Sequence, residues 1–308
     1  DALEAADMRA NREKGEGHKG YSGILDVLEM VLLLTSPEVG LQLSFSHQVC
    51  LFPGNSGAMH SLFKLVREPD LVYALLGSVM NGEAEILNRW LNNRPFLEKN
   101  ICRLNMIRDK QTFYLERGPD FMSEEERERL GEWLVSRGGQ AGSLIEEGNP
   151  SQKKVLLFEW GRLFDAQEES VFAVCCAVAM SLSGVPGWSA DLFFSGETGG
   201  GLSKLLNARS TCAGFDPRMP EKVLNIHPNV FALLRGKTDG DMVFCMINLS
   251  RRFLSVRFDG SEIPLPEGKW RDLLSGAAFM HPGKIQMKIE PFQICWYIIT
   301  DPENEDAE

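Results

Sequence analysis

The side chains here that could do chemistry are few and scattered. Asp109 lies between Arg108 and Lys110, directly after an apolar run at 101–107 (ICRLNMI). A carboxyl group at the end of a strand can act as nucleophile, general acid or electrostatic stabiliser. One flanked by two cations can equally be part of a surface ion pair. His60 stands in an apolar stretch at 59–66, where an imidazole is either a packed core group or a ligand-binding one. His227 and His281 precede prolines and read as loop residues. Gly199-Gly200-Gly201 has neither the lysine of a phosphate-binding loop nor the spacing of a dinucleotide fingerprint, so it reads as a flexible loop. No nucleophile-elbow sequence occurs. The seven cysteines are irregularly spaced, with no CxxC pair and no Cys/His cluster, so no metal site is expected. Free thiols in a reducing compartment, the cytoplasm, fit this usage.

The elements that would position such groups centre on residues 171–196. From 171 to 182 nearly every side chain is small or apolar, which predicts a helix buried on most sides. At about a dozen residues it is too short to span a bilayer. Gly184 and Pro186 end it, 188–194 reads as a buried aromatic strand, and a glycine-rich loop comes next. That order suits the last unit of an α/β barrel. Upstream, helical spacing occurs at 24–34, 59–66, 71–80 and 83–91, with strand patterns at 39–45 and 101–107. Ser123 to Glu126 forms a capping box for a helix that Gly138-Gly139 closes, and 140–154 reads as a polar loop. After about residue 221 six short β-branched or aromatic runs recur at roughly ten-residue spacing, which predicts an antiparallel sandwich. The acidic tail at 301–308 is expected to be disordered.

With 308 residues and a net charge of -11, the chain can build a sizeable core, and it offers no basic footprint for nucleic acid. No signal peptide or membrane partner is expected, because the first twenty residues are charged and lack an apolar run. The chain opens at Asp1 and its first methionine is Met8, so it reads as a piece or processed form of something longer.

The run SLSGVPGWSADLFFSG resembles the final barrel strand of the sucrose-phosphorylase-like branch of the α-amylase superfamily, glycoside hydrolase family 13. FDPRMPEKVLNIHPNVFALLR resembles that branch's entry into its C-terminal domain, and WRDLLSG and PFQICWYI are similar to later strands of that domain. The segments 74–90 and MSEEERERLGEWLVSRGG match in position and character, so the resemblance runs from about residue 23 to 299.

The resemblance implies a retaining mechanism with an aspartate nucleophile, a glutamate acid/base and a stabilising aspartate. Asp1-Ala2 matches the end of the nucleophile motif, which implies Asp1 as nucleophile. Asp109 falls where the family has His-Asp-Gly, although Arg108 and Lys110 replace its neighbours; Arg108 and His60 become candidate substrate-binding residues. Aligning 36–39 with the family's helix-to-strand join puts Ser44 at the acid/base position. A serine hydroxyl cannot supply that proton near neutral pH, and losing a general acid removes a factor of about 10² to 10⁴.

The expected fold is therefore α/β: a partial (β/α)8 TIM barrel over 1–220, an antiparallel β-sandwich domain over 221–300, and the tail. The expected function is that of a carbohydrate-active protein resembling retaining α-glucoside (sucrose-type) phosphorylases. The alternative is a non-catalytic or truncated relative serving as a sugar-binding or protein-interaction module. A small sugar or α-glucoside is the expected ligand, with inorganic phosphate as co-substrate and no metal or organic cofactor. Unpaired edges of an incomplete barrel would call for a partner or a missing N-terminal half to cover them.

Overall fold

The computed structural model describes residues 41–43, 63–68, 70–94, 97, 101–107, 110–114, 119–145, 152–163, 169–188, 199–237, 242–259, 269–280 and 284–300. The expected elements at 24–34 and 301–308 lie outside these. No helix among the described residues is long and apolar enough to cross a membrane.

Four strands form a parallel sheet in chain order: β1 (Leu41–Leu43), β2 (Phe63–Arg67), β3 (Cys102–Ile107) and β7 (Val185–Trp188). Helices lie between β2 and β3 and between β3 and β7, as parallel pairing requires a crossover. The helices α1 (Leu71–Asn81) and α2 (Glu85–Asn92) lie between β2 and β3, and α5 (Glu169–Ser181) precedes β7. Of α5, Val171, Val174 and every residue from Cys175 to Ser181 are buried, which is why its sequence shows no polar face.

A second, three-stranded antiparallel sheet comes after β3. It joins β4 (Lys110–Tyr114), β6 (Gln152–Glu159) and β5 (Gln140–Ile145), with β6 in the middle. Helix α3 (Glu124–Ser136) connects β4 to β5, and a single turn, α4 (Trp160–Leu163), leaves β6. The capping box at the start of α3 is formed as its sequence predicts. Ser123 Oγ accepts from the Glu126 N–H at 3.2 Å, and Glu126 Oε2 accepts from the Ser123 N–H at 2.8 Å.

Helix α6 (Gly199–Thr211) leads to the antiparallel part, which begins with β8 (Glu221–Leu224). Its six-stranded sheet has the order β13 (Ala278–Met280), β12 (Lys269–Asp272), β15 (Ile294–Thr300), β10 (Met242–Asn248), β9 (Val230–Gly236), β8. A two-stranded ribbon, β11 (Leu254–Asp259) with β14 (Lys284–Ile289), completes it. Alternate residues of β9, β10 and β15 serve two cores. Phe231, Leu233, Val243, Cys245, Ile247 and Trp296 join the cluster that contains α1, α2 and α5. Ala232, Leu234, Phe244, Met246 and Tyr297 pack instead with Val256 of β11 and Ile285 of β14. A sheet buried on both faces needs apolar residues at every position, and β10 (MVFCMIN) has them.

Several expectations are corrected. Residues 63–66 of the stretch expected to be helical (59–66) belong to strand β2, since parallel pairing with β1 and β3 decides a run too short to hold a helix by itself. The Val-Pro-Gly expected as a turn is itself the strand β7, because proline and glycine are tolerated at a sheet edge; the residues 189–194 assigned to that strand lie outside the described ones. Gly199 to Gly201, expected as a loop, open α6, and the polar segment 140–154 supplies β5 and the start of β6.

Candidate functional site

The parallel sheet has two chemically different faces. On β3 the side chains of Asn105 and Ile107 are buried while Leu104 and Met106 are half-buried. A Cβ at Gly187 would lie 3.3 Å from Leu104 Cδ1 and 3.8 Å from Met106 Cγ, so Gly187 shares the more open face. Trp188, on the other face, sets its indole against the Cys176 thiol of α5.

The helix-side face carries a buried ionic network. Glu68, just past β2, accepts from Arg103 of β3 and, at 3.3 Å, from Arg94, which precedes β3. Arg94 stacks on the Trp90 ring at 4.6 Å and donates to Glu221 of β8 at 2.8 Å. Glu221 also accepts from the Ser183 N–H at 2.6 Å, and the Ser183 carbonyl accepts from Asn105 Nδ2 at 2.9 Å. Burial alone would raise the Glu221 pKa, yet the Arg94 charge and the Ser183 N–H hold it below the ordinary carboxylate range. Burial and the nearby Arg94 charge lower the Arg103 pKa, against the pull of Glu68.

A second set of arginines continues the seam. Arg235 of β9, fully buried, donates to the carbonyls of Ser181 at 2.9 Å and Asp216 at 2.7 Å. Arg209 of α6 donates to the carbonyls of Met180 and, at 2.7 Å, Gly184. Burial, reinforced by the Arg235 charge, brings the Arg209 pKa down to about 10. These groups cross-link the parallel sheet, α6 and the antiparallel sheet through backbone carbonyls and carboxylates. Every one of them is partnered and enclosed, so the seam is a structural clamp. No local sequence signal marks it, because its members are single charges far apart in the chain.

Asp1, Ser44, His60, Arg108 and Asp109 all fall outside the described residues. What is described are the strands that lead to three of them. β1 ends at Leu43, one residue before Ser44, and β3 ends at Ile107, one residue before Arg108. Both strands run parallel to β2 and so end at one edge of the sheet. His60 comes three residues before the first residue of β2 in the chain. The three-stranded sheet starts beside the same carboxyl edge, with Lys110 of β4 paired to Glu159 of β6 and Leu157 left 45 % exposed. Among the described residues, no three His, Cys, Asp or Glu side chains converge to hold a metal ion.

No protein-family model and no curated protein sequence matches this chain. Solved structures do match in fold. An Anoxybacillus α-amylase aligns with a TM-score of 0.58 at 14 % identity, covering 90 % of this chain and 55 % of its own. The sucrose 6F-phosphate phosphorylase of Thermoanaerobacter thermosaccharolyticum aligns with a TM-score of 0.58 at 12 % identity, covering 86 % and 56 %. The α-amylase of Geobacillus thermoleovorans, solved with acarbose, gives 0.58 at 11 % identity over 97 % and 63 %. The chain spans about half to three-fifths of the length of these structures. Its fold is thus similar to that of these two α-amylases and of the sucrose 6F-phosphate phosphorylase.

Proposed function

We propose that this chain is a carbohydrate-active protein whose four parallel strands are an arc of a (β/α)8 barrel, with the sugar bound at their carboxyl edge. The observation that carries the reading is the chain-order parallel pairing of β1, β2, β3 and β7, in which the strands before Ser44 and Asp109 end together. In such barrels the strand ends of this edge hold the reacting groups. The likeness to solved amylases and to a sucrose phosphorylase supports a glucoside as ligand.

In this reading Asp1 attacks the anomeric carbon of an α-glucoside, the bond to the leaving oxygen breaks, and a glucosyl ester forms. Asp109 stabilises the oxocarbenium-like charge on the way, and Arg108 contacts the sugar; His60, which precedes the amino end of β2, is not part of this reading. Inorganic phosphate then attacks the anomeric carbon from the face that the leaving group vacated, opposite the aspartate, which departs as its carboxylate and leaves α-glucose 1-phosphate with retention. No metal or organic cofactor enters these steps. The missing element is the proton for the departing alkoxide, since Ser44 holds the position of the acid, and poor leaving groups should react slowly by a factor of about 10² to 10⁴.

The second reading is a non-catalytic sugar-binding or protein-interaction module. Ser44 and the cations beside Asp109 favour it, as do the half-buried Leu104 and Met106, which further barrel strands or a partner would cover. Incubation with sucrose or glucosyl glycerate plus phosphate separates the two. Glucose 1-phosphate well above a buffer blank supports the phosphorylase. Its absence, with sugar-dependent thermal stabilisation, supports the binding module.

A further inference from the structure

The ribbon of β11 and β14 has one buried face and one open face. Leu254, Val256, Ile285 and Ile289 are buried in the core they share with Phe244 and Tyr297, whereas Ser255, Arg257, Lys284, Gln286 and Lys288 are exposed. That alternation is the period of a strand pair solvated on one side. The register sets Arg257 opposite Gln286 and Ser255 opposite Lys288. Arg257 is therefore diagonal to both Lys284 and Lys288, at about 7–8 Å. None of these three cations makes a salt bridge to another described residue. The carboxylates of the face stand at its two ends, Asp259 opposite Lys284 and Glu290 beyond Lys288. A chain with a net charge of -11 thus gathers three like charges on one small face. Each raises the free energy of the others, and an acidic partner lowers it.

The chain itself carries an acidic segment within reach. Residues 301–308 follow β15, and Asp301, Glu303, Glu305, Asp306 and Glu308 are among them. At one end of the ribbon, Asn248 Nδ2 donates to the carbonyls of Arg252 at 2.8 Å and Glu290 at 2.7 Å. Toward the other end, Phe258 lies 5.7 Å from Phe244, which pairs with Tyr297 of β15. Lys284, opposite Asp259, and Thr300, the last residue of β15, therefore lie at the same end of the antiparallel part. Packed sheets are about 10 Å apart, a step that three extended residues cover at about 3.3 Å each. Five more residues span about 16 Å, and the way from Lys284 to Lys288 is about 13 Å. The lengths match, and Glu305, Asp306 and Glu308 belong to the part that would run along the cations.

We propose that the open face of β11 and β14 is the docking surface for the acidic segment 301–308 of the same chain, which lies along Arg257, Lys284 and Lys288. The contact is electrostatic and exposed, so it loosens as salt rises. It is independent of any reaction at the parallel sheet.

Zero-length carbodiimide crosslinking of an equal mixture of ¹⁴N and ¹⁵N chains, read by peptide mass mapping, tests this. Lys284 and Lys288 should link to carboxylates of 301–308 within one isotope, in about fivefold excess over the exposed Lys204 of α6. Sodium chloride at about 1 M, which screens exposed charges beyond about 3 Å, should remove that excess. Arg257→Glu keeps both lysines and should lower their links about fivefold, the loss expected for two exposed ion pairs, without moving the thermal midpoint. No link at either lysine overturns the proposal, as do links shared equally with Lys204 or unchanged by salt or by Arg257→Glu. Links that join ¹⁴N to ¹⁵N chains would also overturn it and assign the face to a second copy.

Discussion

Arg94 Nη1 donates to Glu221 Oε1 across 2.8 Å, tying the connection before β3 to the first strand of the antiparallel sheet. Both side chains are shielded from water, Arg94 at 3 % exposure and Glu221 at 17 %. Breaking a buried pair leaves an uncompensated charge, so Glu221→Leu should lower stability by about 3–5 kcal/mol. Urea unfolding at neutral pH measures this, and a change below about 1 kcal/mol would mean that the clamp is incidental.

The same carboxylate gives the protein an acid-sensitive component of stability. Its folded pKa is lowered, by Arg94 and the Ser183 N–H acting against burial. Its contribution is therefore complete above the unfolded value of about 4.3 and disappears as pH falls through the lower folded value. The urea midpoint of the wild type should drop on acidification below about pH 4 more steeply than that of Glu221→Gln. Parallel curves for the two proteins would refute the assignment.

Gly184, between α5 and β7, has a φ of 104°, and a Cβ there would lie 2.5 Å from the Arg103 carbonyl oxygen. Backbone cannot yield as a flexible side chain can. Gly184→Ala should cost about 2–3 kcal/mol through strain and collision together. A neutral effect in thermal or urea unfolding would contradict the close approach of β3 and β7 at this point.

Cys175, Cys176 and Cys245 are fully buried, and Cys295 nearly so. Burial raises all four thiols: Cys176 and Cys245 to about 12, Cys295 to about 11, and Cys175 well above its ordinary value. The thiolate is the reactive form, so native protein at pH 8 should leave these four unalkylated by iodoacetamide while half-buried Cys102 reacts. Peptide mass mapping reads the order, and early labelling of Cys245 would show that the two-sided sheet opens.

At the start of α3, Ser123→Ala removes the acceptor for the Glu126 N–H. The expected loss is about 1 kcal/mol, readable as a lower urea midpoint with an unchanged slope. No change would mean that the first turn of α3 does not limit stability.

How much of the fold was legible in the sequence depends on how local each signal is. The cap at Ser123 and Glu126, the helix filled with Val, Ala and Cys at 171–181, and the aromatic strands of β9, β10 and β15 are written in adjacent residues, and all formed as expected. Strands β4 and β5 were invisible because KQTFY and QAGSLI are too polar and short to stand out until β6 pairs with both. The run at 63–66 mimicked a helix because Phe63, Leu65 and Val66 satisfy either period, and only its parallel neighbours decide. The ionic seam joins Glu68, Arg94, Arg103 and Glu221 through the tertiary fold, so no spacing could announce it. For the site itself, the residues came from a resemblance, and the fold contributes the common edge at which β1 and β3 end.

The most direct test of the proposed sugar-processing edge bypasses the proton donor that the assignment of Ser44 would remove. Fluoride leaves without protonation, so α-D-glucosyl fluoride with phosphate should give α-glucose 1-phosphate, and Asp109→Asn should abolish the release. Ser44→Glu should raise turnover of sucrose by about 10² to 10⁴ and leave the fluoride reaction little changed. No product from the fluoride above a buffer blank, together with a Met106 methyl that glucose does not shift, would contradict the account.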